Sequence, residues 1–62
     1  MKVRDLLKLI EKDGWFLVRT KGSHRQYHHI IKKGNVTVPG HLNDEVAKGT
    51  LSNIFKQAKL KK

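Results

Sequence analysis

The chain has 62 residues, of which 37% are apolar and 31% are charged. A domain of this size buries only about 60% of the surface of its unfolded chain. We therefore expect one domain over residues 1–62, with one thin core and no deep cofactor pocket. Fourteen lysines and arginines face five acids, which gives a formal net charge of +9, and no acid occurs between Gly14 and Asn43. Such a surface attracts polyanions by neutralising phosphates, so nucleic acid is the leading partner class, ahead of an acidic protein or an anionic membrane.

The chain contains no cysteine, which excludes disulfides and thiolate metal sites. Its first residues lack the uninterrupted apolar stretch of a signal peptide. No segment approaches the roughly 20 apolar residues that a membrane span needs. We therefore expect a cytoplasmic protein that does not contact membranes.

The first predicted element is a helix from about Lys2 to Lys12. Its apolar residues recur with the spacing of one buried helical stripe, at Val3, Leu6, Leu7 and Ile10. Gly14 follows, and it suits the left-handed conformation that often ends a helix.

Three strands are predicted next. Trp15–Thr20 is rich in aromatic and β-branched residues, as is typical of a strand, and His24–Ile31 and Val36–Val38 give the second and third strands. Lys21-Gly22-Ser23 and Lys32-Lys33-Gly34-Asn35 are predicted turns. Such short connections imply antiparallel pairing.

A polar loop leads to a second helix that begins near Gly49-Thr50, with Thr50 as a plausible N-cap. The apolar spacing repeats at Leu51, Ile54, Phe55 and Ala58. The expected fold is α+β in the order α-β-β-β-α, with both helices on one face of a three-stranded antiparallel sheet. The expected core contains Leu6, Leu7, Ile10, Ile54 and Phe55.

Three ordered segments carry a resemblance to a known family. They are Lys21-Gly22-Ser23-His24 after Gly14-Trp15 and Arg19, then Val36-Thr37-Val38-Pro39-Gly40-His41, then Gly49-Thr50-Leu51-Ser52-Asn53-Ile54 with Gln57-Ala58. In this order and at this length, the chain resembles the HicA family of messenger RNA interferase toxins. The one departure is Lys48, where many members carry proline, and it concerns only how the chain enters the second helix.

The resemblance implies a double-stranded-RNA-binding-like fold and a ribonuclease that cleaves messenger RNA. It also implies a HicB-type antitoxin as partner and His24 as the catalytic residue. We expect that partner to cover His24 and the basic surface beside it.

The chemistry of RNA suits a histidine in this role. RNA carries its own nucleophile, the 2′-hydroxyl, so cleavage needs proton transfer and stabilisation of the charged phosphorane, and needs no metal in principle. An unperturbed imidazole titrates near pH 6.5, close to working pH, and lysine and arginine stabilise negative charge. Beyond His24, the residues that we expect to contact RNA are Lys21, Gly22, Ser23, Arg25, His41, Lys48 and Thr50.

For several side chains the sequence permits both a functional and a structural interpretation. His41 is the best second candidate for acid–base work and is otherwise a surface histidine. His28 and His29 are adjacent in a strand and point to opposite faces, so at most one of them can join His24. Core packing is favoured over base stacking for Trp15 and Phe16, whereas Tyr27 is undecided.

A metal site and other cofactors are not expected. His24 and His28 would share a face but stand about 13 Å apart along the strand, which is too far for two ligands of one zinc ion. No carboxylate lies near His24 in the sequence, so a Ser-His-Asp arrangement is unsupported as well.

The competing function is a non-catalytic double-stranded-RNA-binding module of the same fold. The two hypotheses separate at His24, because a pure binding module should lose little affinity when a single imidazole, uncharged or only weakly charged, is removed. A DNA-binding accessory protein is disfavoured because three strands separate the two helices.

Overall fold

The computed structural model describes residues 1–60. The elements in chain order are α1 (Val3–Lys12), β1 (Phe16–Lys21), β2 (His24–His28), β3 (Val36–Val38) and α2 (Lys48–Ala58). The strands form one antiparallel sheet in the order β1-β2-β3. This confirms the predicted α-β-β-β-α arrangement. No helix among the described residues is long and apolar enough to span a membrane.

Both helices pack on the same face of the sheet. Successive residues of a strand point to opposite faces, so the burial of Tyr27, Val36 and Val38 identifies the face that the helices cover. The opposite face, which we call the open face, carries the alternate residues of the strands. The core joins both helices to these strand residues and confirms all five predicted core positions; its buried members are Val3, Leu6, Leu7, Ile10, Trp15, Tyr27, Val36, Val38, Ile54, Phe55 and Ala58.

The end of α1 returns the chain to the core. Gly14 has φ +105°, and its N–H donates to Glu11 O at 3.0 Å while Trp15 N–H donates to Ile10 O at 3.1 Å. This pair of bonds is the Schellman motif, which requires a left-handed residue at the position of Gly14. The predicted left-handed conformation of Gly14 at the end of the helix is thus confirmed, with Asp13 as the C-cap residue before it. The motif directs Trp15 into the core, where it is 2% exposed.

The turn between β1 and β2 consists of two residues, Gly22 and Ser23. Lys21 and His24 pair across it, Gly22 has φ +60°, and Ser23 does not have a positive φ. A left-handed first residue followed by an ordinary second one is the pattern of a type II′ hairpin turn, which favours glycine at its first position. The turn therefore sets His24 as the first residue of β2.

A bulge at Val18 interrupts the pairing of β1 with β2. Leu17 pairs with Tyr27, but the next pair is Arg19 with Gln26, so β1 has one extra residue. A bulge of this kind redirects side chains locally. It places Arg19 in register with Gln26 on the open face.

The prediction that β2 extends to Ile31 is wrong, because β2 ends at His28. The His29 ring explains the end: its Nδ1 accepts hydrogen bonds from Ile31 N–H at 3.0 Å and Lys32 N–H at 3.1 Å. These bonds turn the chain away from the sheet and leave Ile30 89% exposed.

The expectation of core packing is confirmed for Trp15 and wrong for Phe16. Phe16 is 45% exposed because it pairs directly with His28, and the parity of the strand puts both on the open face. Tyr27, undecided from sequence, is buried between the sheet and the helices. Its hydroxyl donates to Glu11 Oε2 at 3.2 Å.

The second helix begins one or two residues earlier than predicted, and Thr50 is not its N-cap. Ala47 occupies that position without a side-chain cap, and Leu51 N–H donates to Ala47 O at 2.8 Å. Thr50 therefore lies inside the first turn. The helix ends at Ala58, and the next residue, Lys59, adopts a left-handed conformation with φ +56°.

Candidate functional site

The open face brings polar and basic side chains into three rows that cross the strands. His24 pairs with Lys21 in the first row, Gln26 lies between Arg19 and Thr37 in the second, and His28 pairs with Phe16 in the third. Side chains of directly paired residues lie about 4.5–5.5 Å apart at Cβ. The ladder thus assembles a continuous surface from residues that are distant in sequence.

A shallow depression of about 250 Å³ lies over the first two rows. Its lining consists of Arg19, Lys21, His24, Gln26 and Thr37. His24 is exposed, so its imidazole is accessible to a ligand in this depression. An accessible imidazole beside two cations is suited to bind a phosphate and to exchange a proton with it.

Arg19 is held in place by a neutral partner. Its Nε and Nη2 donate to Gln26 Oε1 at 3.3 Å and 3.0 Å. An amide oxygen orients the guanidinium without neutralising its charge, in contrast to a carboxylate. The remaining N–H groups of Arg19 stay available for an anion, and a guanidinium can bind phosphate in a bidentate manner.

The acids of the chain lie away from the open face. Asp5 and Glu11 belong to α1, Asp13 follows it, and Asp44 and Glu45 belong to the loop before α2. In the part of the chain that the structure describes, the ion pairs are Lys32 with Asp13 and the N-terminal ammonium with Glu45. The hydrogen bond from Lys32 lowers the pKa of Asp13. The positive charge of the open face is therefore uncompensated by the described residues.

The sequence-predicted residues around the turn separate into two groups. Gly22 and Ser23 form the turn that precedes His24, and Lys21 lies in the depression. Arg25 instead points to the helix-covered face, where its Nη1 donates to Gly40 O at 2.8 Å and to Ser23 O at 3.4 Å. It thereby ties the loop after β3 to the β1–β2 turn.

His41, Lys48 and Thr50 are not brought into the depression with His24. Thr50 lines a separate hollow of about 220 Å³, whose other lining residues include Asp44 and Glu45. His41 is exposed in the adjoining loop, with its N–H donating to Asp44 Oδ2 at 3.0 Å. Two carboxylates make this region less favourable for a phosphate than the depression on the open face. Contacts of these three residues with RNA stay predictions.

His28, the last residue of β2, and His29, which follows it, differ in their surroundings. His28 lies on the open face with His24, whereas His29 packs edge-on against Trp15 at 5.2 Å between ring centroids and its Nε2 is 2.8 Å from Asp13 O. The expectation that at most one of the pair shares a face with His24 is thus confirmed. Within residues 1–60, no three His, Cys, Asp or Glu side chains are grouped to hold a metal ion.

Tyr27 is not a candidate for acid–base work at neutral pH. Burial raises the pKa of Tyr27 to about 12, so the phenol stays protonated and serves as a hydrogen-bond donor to Glu11. It is also on the face of the sheet opposite His24.

Three residues of the depression were not predicted as site residues. Gln26 was not singled out at all, and Arg19 and Thr37 were noted only as parts of the resemblance. A signal for Gln26 exists in the sequence, because His24, Gln26 and His28 alternate along one face of a strand. The position of Arg19 depends on the bulge at Val18, which carries no comparable signal.

Comparison with known proteins identifies the family of the chain. No curated protein matches the chain. A family model described as "HicA toxin of bacterial toxin-antitoxin" matches residues 3–60. This range includes every element of the fold and all five residues of the depression. Toxins of this class act together with an antitoxin, so a partner protein is implied. The chain belongs to the HicA family of toxins of bacterial toxin–antitoxin systems.

Proposed function

We propose that this toxin is an endoribonuclease that cleaves messenger RNA in the cytoplasm, with His24 as its catalytic residue. The observation that carries the proposal is the depression on the open face, where His24 is accessible beside Lys21 and Arg19. The surface is basic and shallow, as an extended polyanion requires. Its residues supply both a proton-transfer group and charge stabilisation.

The reaction follows from the chemistry of the RNA backbone. The 2′-oxygen attacks the adjacent phosphorus, the bond from phosphorus to the 5′-oxygen breaks, and the products are a 2′,3′-cyclic phosphate and a 5′-hydroxyl. His24 takes the proton of the 2′-hydroxyl and returns a proton to the leaving 5′-oxygen. A positioned acid–base group of this kind contributes about 10²–10⁴-fold to a rate.

Lys21 and Arg19 stabilise the negative charge that develops on the phosphorane. Lys21 is the direct cross-strand neighbour of His24, so its ammonium can reach the same phosphate. Arg19 is pre-oriented by Gln26, which lowers the entropic cost of holding it against the transition state. Neither the proton transfers by His24 nor the charge stabilisation by these two cations requires a metal ion.

The test is cleavage by the purified protein. We expect RNA fragments that begin with a 5′-hydroxyl, and we expect the rate to be the same with and without a chelator. Mass spectrometry of the fragments identifies the ends. Fragments with 5′-phosphates, or activity that a chelator abolishes, would contradict the mechanism, and intact RNA would contradict the activity.

We further propose that the antitoxin is of the HicB type and covers His24 together with the basic open face. The uncompensated charge of that face favours a partner that carries acidic residues, and complementary charge speeds association. Covering the depression blocks cleavage sterically, so the toxin need not change shape.

We expect co-expression of the HicB-type antitoxin to rescue growth and to yield one complex on size exclusion. Hydrogen exchange should slow in β1 and β2 upon complex formation, and the association rate should fall as salt is added. Protection confined to the outer faces of the helices, or a complex that still cleaves RNA, would show that the antitoxin binds elsewhere.

A further inference from the structure

A second depression on the open face adjoins the one that contains His24. It measures about 500 Å³ and is lined by Val18, Arg19, Gln26, His28 and Asn35. Arg19 and Gln26 line both depressions, so the two form one track along β2. The proposed cleavage chemistry uses only the half that contains His24.

His28 lines the far half of this track, and the aromatic side chain of Phe16 lies beside it on the same face of the sheet. Phe16 and His28 are direct cross-strand partners on the open face, at the end of β2 opposite His24. Phe16 is 45% exposed although the core contains the other aromatic residues, Trp15, Tyr27 and Phe55. An exposed aromatic side chain on an uncovered sheet face offers a flat surface on which an unpaired base can stack.

The polar groups that line the second depression match the edge of a nucleobase. The side-chain amide of Asn35 can donate and accept hydrogen bonds, as the edges of bases do. The amide nitrogen of Gln26 can donate as well, while its oxygen accepts from Arg19. Arg19 lines both depressions and can bind the phosphate that links a nucleotide in one to a nucleotide in the other. None of the five acids lies in either lining.

We infer that Phe16 and His28 form a nucleobase-binding subsite, and that the substrate is single-stranded RNA lying along β2. The inference rests on the proposed function in that it names the form of RNA taken by the same face. Bases of a duplex are stacked on each other and cannot reach Phe16, so double-stranded RNA would leave this subsite empty. Stacking of a base at this subsite holds the RNA strand in position along β2, so that one of its phosphates lies beside His24.

Binding is best measured in the His24→Ala protein, which holds RNA without cutting it. The probe is an unstructured RNA oligonucleotide of mixed sequence, alone and annealed to its complement, followed by fluorescence anisotropy. Adding Phe16→Ala should raise Kd for the single strand about 5- to 150-fold, the range that corresponds to loss of one stacked base. Phe16→Trp should retain affinity, and Phe16→Leu should not, because leucine keeps the apolar contact but lacks the aromatic face.

Leu17→Ala is the matched control. Leu17 is the next residue of β1, is 49% exposed, and points away from the open face, so its removal should change Kd less than about twofold. An oligonucleotide with abasic sites should bind weakly to the His24→Ala protein that retains Phe16. Adding Phe16→Ala should cause no further loss of affinity for this oligonucleotide. This insensitivity identifies the base, and not the phosphate, as the group that Phe16 contacts.

Equal effects of Phe16→Ala and Leu17→Ala would overturn the inference, and so would duplex that binds as tightly as the single strand. A Phe16→Ala protein that loses its antitoxin but binds RNA normally would reassign this surface to the protein partner. If the protein with His24 intact cleaves no RNA while single-strand binding still depends on Phe16, the proposed cleavage fails and the subsite stands.

Discussion

The His24→Ala protein is expected to cleave RNA about 10²–10⁴-fold more slowly than the unaltered toxin and to permit growth when expressed without its antitoxin. Removal of the imidazole deletes the only histidine in the depression lined by Arg19 and Lys21. The cations remain, so RNA binding should weaken little. Single-turnover cleavage and RNA affinity, measured on the same preparation, separate these two effects.

His24 is well suited to this test because its removal should not disturb the fold. Its side chain is exposed and makes no hydrogen bond among those that the structure describes, and alanine can occupy the first position of β2. Circular dichroism and thermal unfolding should therefore match the unaltered protein. A loss of activity can then be assigned to chemistry.

His41→Ala is the informative comparison. His41 lies outside the depression, in the loop where Asp44 Oδ2 accepts its backbone N–H, and alanine leaves that bond intact. We expect its rate to fall less than about tenfold. A loss as large as that of His24→Ala would show that the two histidines share the acid–base work, whereas full activity of His24→Ala would favour a non-catalytic RNA-binding module.

The helices and the core were predictable because their signals are periodic. Four apolar residues at helical spacing in each helix define one buried face, and Gly14 marks the end of α1 through the conformation that its φ allows. The strand order follows from short connections. Local patterns therefore suffice for the layers of this fold.

The site was predictable only in part because it depends on the register of the strands. His24 and Lys21 are placed by a two-residue turn, which the sequence signals with Gly22-Ser23. Arg19 reaches the same surface only because Val18 is an extra residue in β1. Without that bulge, the alternation of β1 would be offset by one residue on one side of it.

Phe16 was mispredicted for a related reason. Two adjacent aromatic residues stand at the start of β1, and either could fill the core. The Schellman motif at the end of α1 directs Trp15 inward, and strand parity then directs Phe16 to the open face. Tertiary geometry, and not hydrophobicity, decides which of the two is exposed.

Leu6→Ala should unfold the domain or bring it close to unfolding. Leu6 is fully buried at 0% exposure, in the core that joins both helices to the sheet. Truncation of a buried leucine to alanine costs about 2–5 kcal/mol. At about 0.05–0.15 kcal/mol per residue, a domain of this length has a stability of about 3–9 kcal/mol, so the loss is comparable to the whole.

Leu9→Ala makes the matched control, because it removes the same atoms from the same helix at a position that is 37% exposed. Both substitutions are best made in the His24→Ala protein, which cells can tolerate, and followed by thermal unfolding. For a domain of this size each 1 kcal/mol shifts Tm by about 4–8 °C, so Leu6→Ala should lower Tm by at least about 8 °C. Leu9→Ala should lower it by less than about 5 °C, since an exposed side chain gains little from folding. Similar shifts for the two variants would mean that α1 does not pack on the sheet through the face that contains Leu6.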